Sequence, residues 1–134
     1  MSHIIKVATN IKNVEYFKKA LKELTDFDVR ENDYYKGYSM SQEKADFVFK
    51  LKGCPYEIGL IKNDDGTYRL AYDPWQGHVE KIIGAGGSKL KQGYAYQNLV
   101  SEIKKKGLNC RIVRKQLENQ NLQVEVMGVE TWGG

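Results

Sequence analysis

Asn63-Asp64-Asp65-Gly66-Thr67-Tyr68-Arg69-Leu70-Ala71-Tyr72-Asp73-Pro74-Trp75-Gln76-Gly77 holds a turn, a strand and a stop signal in direct succession. Gly66 is free to take a positive φ, and the carboxylates of Asp64 and Asp65 suit hydrogen bonds to local backbone, so Asn63 to Thr67 predicts a hairpin loop. Tyr56, Ile58 and Leu60 form the apolar face of the strand before that loop, and Tyr68, Leu70 and Tyr72 form that of the strand after it. Pro74 has no N–H to give to a ladder, so the second strand stops near Asp73. A dedicated calcium loop would need further oxygen ligands at regular intervals and a closing Glu, which do not follow Asp64 and Asp65.

Upstream, Phe47, Phe49 and Leu51 alternate with Asp46, Val48 and Lys50, which predicts a strand that Gly53-Cys54-Pro55 ends. Ser2 to Thr9 alternates in the same way, with Ile5 and Val7 on one side and Lys6 on the other. Asn13 offers an N-cap oxygen, and Val14, Phe17, Leu21 and Leu24 recur at helical spacing to about Thr25. Phe27 to Arg30 reads as a strand, with Tyr34 to Tyr38 continuing the sheet after a turn at Asn32-Asp33. Downstream, Gln76 to Ile83 fits either a helical turn or an extended piece. Gly84 to Gly87 reads as a flexible break, and Ser88 as the cap of a second helix to about Lys106, with Tyr96, Leu99, Val100 and Ile103 as its buried stripe and Gly107 as its stop. Cys110 to Leu117 and Leu122 to Val129 alternate as a hairpin around Glu118 to Asn121. The order β-α-β(3–5)-α-β-β predicts an α+β fold, a mainly antiparallel sheet with two principal helices packed on one face.

The 134 residues fit one domain, with 131–134 as a short tail. An apolar share of 41% and a charged share of 28% are those of an ordinary globular chain, with no apolar run near the roughly 20 residues that cross a bilayer. The opening Met1 to Lys6 lacks the pattern of a secretory signal, so a cytoplasmic setting is expected. Cys54 and Cys110 are then expected as free thiols. With His3 and His78 they are scattered, without the short pair spacing of a zinc site, so no metal or cofactor is expected.

Net charge is +4, but Lys89, Lys91, Lys104, Lys105, Lys106, Arg111, Arg114 and Lys115 stand against Glu102 alone in their window. Such a run suits phosphates, or it is the solvated end of a helix whose C-terminus favours cations. Gly84-Ala85-Gly86-Gly87-Ser88-Lys89 invites comparison with a phosphate loop, but Ser88 separates Gly87 from Lys89 where the motif needs Gly-Lys-Ser/Thr. Asp73, His78 and Glu80 lie close enough in sequence to supply an acid and a base, with no nucleophile beside them. Tyr68, Tyr72, Asp73, Trp75, Tyr94 and Tyr96 form the stronger candidate, an aromatic corner that would suit a protein surface or stacked bases if its rings reach solvent together. The alternative is that Tyr72, Trp75 and Tyr96 are interior.

Met1-Ser2-His3, Gly37-Tyr38 with Lys44-Ala45-Asp46, Ile58-Gly59, Asn63-Asp64-Asp65-Gly66-Thr67-Tyr68, Asp73 with Trp75, and Tyr94-Ala95-Tyr96 occur in an order that resembles the hypothetical chloroplast reading frame 35 family, the domain of unknown function 1257. The resemblance runs to about Val126. It implies a setting in plastids, cyanobacteria, other bacteria or viruses of cyanobacteria, and no particular reaction. The expected function is a small non-catalytic macromolecule-binding protein, an adaptor or modulator of a host or photosynthetic-cell complex. The alternatives are a nucleic-acid-binding protein that uses the basic run and tyrosines, or an enzyme at Asp73, His78 and Glu80. Exposed sheet edges leave pairing of two copies open.

Overall fold

The computed structural model describes residues 4–106 and, for the C-terminal segment, the strand backbones of 109–116 and 122–130. The antiparallel sheet is built from β1 (Ile5–Val7), β2 (Phe27–Asp33), β3 (Ala45–Leu51), β4 (Glu57–Lys62) and β5 (Tyr68–Tyr72), in the order β1-β5-β4-β3-β2. Helix α1 (Val14–Leu24) follows β1, the short α2 (Glu80–Ile83) follows β5, and α3 (Ser88–Lys105) follows α2. The α+β class and the main helices over a mainly antiparallel sheet are as the sequence indicates. Strands β6 (Asn109–Gln116) and β7 (Leu122–Glu130) pair antiparallel as a separate ribbon, while their connection and the 131–134 tail lie outside the described residues.

The hairpin forms at the expected place: Leu60 pairs with Leu70, Gly66 has φ 87°, and Asp65 Oδ1 accepts from the Thr67 N–H at 2.9 Å and the Thr67 hydroxyl at 2.6 Å. Asn13 caps α1 by accepting from the Tyr16 N–H at 3.1 Å. Phe17 and Leu21 of α1 pack with Phe49, Ile58, Leu60, Leu70, Tyr72, Ile83 and Leu90 into the larger core, between the helices and one sheet face. Alternation produces this face because every second side chain of a strand points the same way.

Four local expectations need correction. Tyr34 to Tyr38 does not extend the sheet; β2 itself runs on to Asp33, and the chain then forms a loop with only an isolated Lys36–Met40 bridge. That loop covers the second sheet face, where Tyr35, Ala45, Val48, Ile61 and Ala71 form a smaller buried cluster, so Val48 is interior although it alternates with polar residues. In α3, Gly87 rather than Ser88 is the N-cap, and the buried residues are Leu90, Gly93 and Tyr94, with Tyr96, Leu99, Val100 and Ile103 only partly covered. The stripe shifts because α1 and α3 cross where Gly93 meets Ala20; a Cβ on Gly93 would stand 3.2 Å from that of Ala20. The expected flexible break is a set turn: Ala85–Gly87 is a 3₁₀ turn whose Gly86 N–H donates to Glu80 Oε2 at 2.8 Å. Between Gln76 and Ile83, the ambiguous stretch resolves into a 3₁₀ turn at Trp75–Gly77 and then α2.

Candidate functional site

The corner beyond the central hairpin divides into rings consumed by the interior and rings held outside. Tyr68, Tyr72 and Tyr94 are buried, so the expectation that these rings reach solvent together with Trp75 is corrected. Their ring areas face the helix-covered core, where a tyrosine needs only a partner for its hydroxyl. Tyr72 donates to Glu80 Oε2 at 2.6 Å, and burial, reinforced by that carboxylate, pushes the phenol pKa well up. The Tyr94 hydroxyl accepts from the Lys12 and Asn13 N–H groups at 3.0 and 3.1 Å. Tyr96 is half-buried on α3.

Trp75 remains at the surface, 40% exposed, and its partner is a ring that sequence reasoning did not place in the site. Tyr38 is 64% exposed and lies edge-to-face against Trp75, with ring centroids 6.3 Å apart. Between them is Asp73, whose carboxylate is an internal clamp rather than a surface charge, since the residue is only 1% exposed. Its Oδ2 accepts from the Tyr38 N–H at 2.8 Å and its Oδ1 from the Trp75 N–H at 2.9 Å. Thus one buried carboxylate fixes both backbones that present the exposed rings. Gly37 allows this approach, because a Cβ there would stand only 2.5 Å from the Asp73 Cβ. Met40, 54% exposed, adds another apolar side chain from the same loop.

A second buried carboxylate fixes the start of that loop. Glu57 receives two guanidinium hydrogen bonds from Arg30, at 2.7 and 2.8 Å, and accepts from the Lys36 N–H at 2.9 Å. Arg30 also donates to Asp33 at 2.7 Å and to the Tyr34 carbonyl at 2.7 Å. The guanidinium therefore holds the Glu57 carboxyl below the usual range despite its burial. At the far side, the Tyr35 N–H donates to Ser41 Oγ at 3.1 Å and the Ser41 N–H returns to the Tyr35 carbonyl at 3.0 Å.

Asp73, His78 and Glu80 do not assemble as an acid–base group. Asp73 serves backbone N–H groups, Glu80 serves Tyr72 and Gly86, and the His78 ring stands edge-to-face on Tyr56 with centroids 5.1 Å apart. Cys54 is a buried free thiol whose Sγ donates to the His78 carbonyl at 3.6 Å. In the Gly84 to Lys89 turn, the Gly86 N–H, a donor that a bound anion would need, is already taken by Glu80. Among the described residues, no group of three or more His, Cys, Asp and Glu side chains is arranged to hold a metal ion, and no helix is long and apolar enough to cross a membrane.

The basic residues are spread along α3. Lys89 and Lys91 are partly covered, Lys104 to Lys106 are exposed at the helix end, and Lys105 approaches Glu102 at 4.0 Å. Arg111 and Arg114 lie in β6, where their side chains are outside the described residues.

Comparison with known proteins gives a family without an assigned reaction. The model of the family described as "Protein of unknown function (DUF1257)" matches residues 20–126. The chain is 31% identical over 113 residues to "Uncharacterized protein ycf35" of Pyropia yezoensis, covering 80% of this chain and 82% of the relative. It is 32% identical over 110 residues to the protein of the same name from Cyanophora paradoxa, with the same coverage. No solved structure matches. With a family model matching most of the chain and two relatives aligned over four-fifths of it, this protein belongs to the DUF1257 family, which includes the ycf35 proteins.

Proposed function

We propose that this chain is a small non-catalytic protein-binding module, an adaptor or modulator of a complex in a photosynthetic cell or its host, acting in the cytoplasm or plastid stroma as a single domain. Its contact ledge is Tyr38 and Trp75. The observation that carries this reading is the Asp73 carboxylate, buried and bonded to both ring-bearing backbones. Burying a carboxylate costs free energy unless it is fully hydrogen-bonded, so a clamp that ends in two exposed rings supports a role for the rings outside the fold. Tyr and Trp carry most of the binding energy at many protein interfaces, because they bring large rigid area with few torsions to order. The proposed site therefore consists of Asp73, Trp75 and Tyr38, while Tyr68, Tyr72 and Tyr94 belong to the interior.

The nucleic-acid reading rests on the exposed Lys104 to Lys106 run, and the same experiment separates it. Tagged wild-type protein, the Tyr38→Ala/Trp75→Ala double variant and a Lys104/Lys105/Lys106→Ala variant are used for capture from a nuclease-treated photosynthetic-cell extract. In parallel, each is titrated with single- and double-stranded oligonucleotides at several salt concentrations. A specific protein lost about tenfold or more with the ring variant and retained with the lysine variant is the expected result, equivalent to about 1.4 kcal/mol. Capture indifferent to both rings would reject the ledge, and salt-sensitive oligonucleotide binding that needs the lysines would favour the alternative.

A further inference from the structure

A cleft of about 560 Å³ lies between the segment that joins β1 to α1 and the exposed side of α3, and shares no residue with the Tyr38–Trp75 ledge. It continues into a hollow of about 390 Å³ beside Lys12 and Asn13, and Tyr94 and Asn98 line both. These volumes fall in the range of sites that hold small molecules. Ile11, Ala95 and Leu99 make one part of its wall apolar.

Tyr94 gives the cleft its chemistry. A phenol has two acceptor positions and one proton to donate, and the Lys12 and Asn13 N–H groups fill both acceptor positions. The O–H hydrogen is then the function left over. Among the described residues, its hydrogen bonds are the two in which the oxygen accepts, which leaves the O–H to donate. Asn98 adds an amide, while Lys91 brings a cation with no ion-pair partner among the described residues. The acid on the wall, Glu102, faces Lys105 at 4.0 Å. A donor hydroxyl, an amide and the Lys91 ammonium beside apolar wall form a pattern for an acceptor-rich, negatively charged group on an apolar body.

We infer that this cleft is a binding site for a small organic anion, a carboxylate or phosphomonoester carried on an apolar body, with the Tyr94 hydroxyl and Lys91 as its donors. The site is independent of the protein-binding reading, and either stands if the other fails.

The test uses the full chain and four probes: adenosine 5′-monophosphate and indole-3-acetate as anions, adenosine and indole as their neutral counterparts. Each is titrated by calorimetry and by amide chemical shifts. At least one anion is expected to bind with Kd at or below about 1 mM and about tenfold tighter than its neutral counterpart, with shifts centred on Ala95, Asn98 and Leu99. Which anion binds distinguishes phosphate from carboxylate. Lys91→Glu should weaken the anion about tenfold and leave the neutral probe unchanged. Tyr94→Phe should weaken binding by a similar factor. Since that change also strips an acceptor from two N–H groups, Asn98→Ala is the second variant, with a several-fold loss expected. No shifts at the cleft for either anion at about 5 mM, equal affinity for the neutral probes, or indifference to Lys91→Glu would each overturn the assignment.

Discussion

The two faces of the five-stranded sheet are closed by different physics. On one, α1 and α3 lay apolar side chains over Phe49, Leu60 and Leu70, and stability comes from area removed from water, which has no preferred direction. On the other, a loop closes over the small cluster around Tyr35 and Val48, and its course is set by hydrogen bonds to Glu57 and Asp73. A helical cover tolerates small shifts, whereas a carboxylate clamp specifies position. The exposed rings belong to the clamped face, which makes positional accuracy the property that the fold spends buried charge to obtain.

The comparison breaks most visibly in the helix-covered core. Phe49 packs against Phe17 and Phe27 with centroids 5.0 and 5.4 Å apart, so Phe49→Ala should cost about 4 kcal/mol and lower Tm across all probes at once. Asp73→Ala removes two charge-assisted bonds and should cost about 3 kcal/mol. Its signature is local: hydrogen exchange at the Tyr38 and Trp75 amides should accelerate beyond the global change. Uniform acceleration throughout the sheet would remove the distinction between the faces.

Glu57→Gln sharpens the same contrast, at about 2 kcal/mol near neutral pH, because Arg30 is partly exposed and its pairing is screened. The sign follows from the depressed carboxyl: stability is fully present above its ordinary value of 4.5 and declines as pH falls through the lower folded value. Denaturant midpoints measured from pH 6 downward should therefore fall less steeply in Glu57→Gln than in wild type, with the gap closing in acid. The smallest effect is expected from Trp75→Ala, within about 0.5 kcal/mol in equilibrium unfolding, since the ring is 40% exposed and lies edge-to-face against the still more exposed Tyr38. A larger loss would mean that this ring supports the fold.

Much of the sheet was legible because its cues are local. The Asn63 to Thr67 turn, the Asn13 cap and the alternation in β3, β4 and β5 each involve residues a few positions apart. Asp73 and Trp75 were also legible as unusual neighbours, and the bond between them is a local turn. Tyr38 was not, because it joins Asp73 across 35 positions and nothing near Gly37-Tyr38 announces an acceptor. The one signal available was that Gly37-Tyr38 stands among the motifs that carry the family resemblance.

Sequence alone determined the α+β class, the strands of the central hairpin and the residue types from which a binding face could be made, since periodicity and turn chemistry act over a few residues. Tertiary structure decided which rings fill the interior and which remain outside. Tyr72 and Trp75 look alike as large amphipathic neighbours. Only the placement of α2 and α3 above the sheet encloses the first, and only a buried carboxylate shared with a distant loop holds the second in solvent.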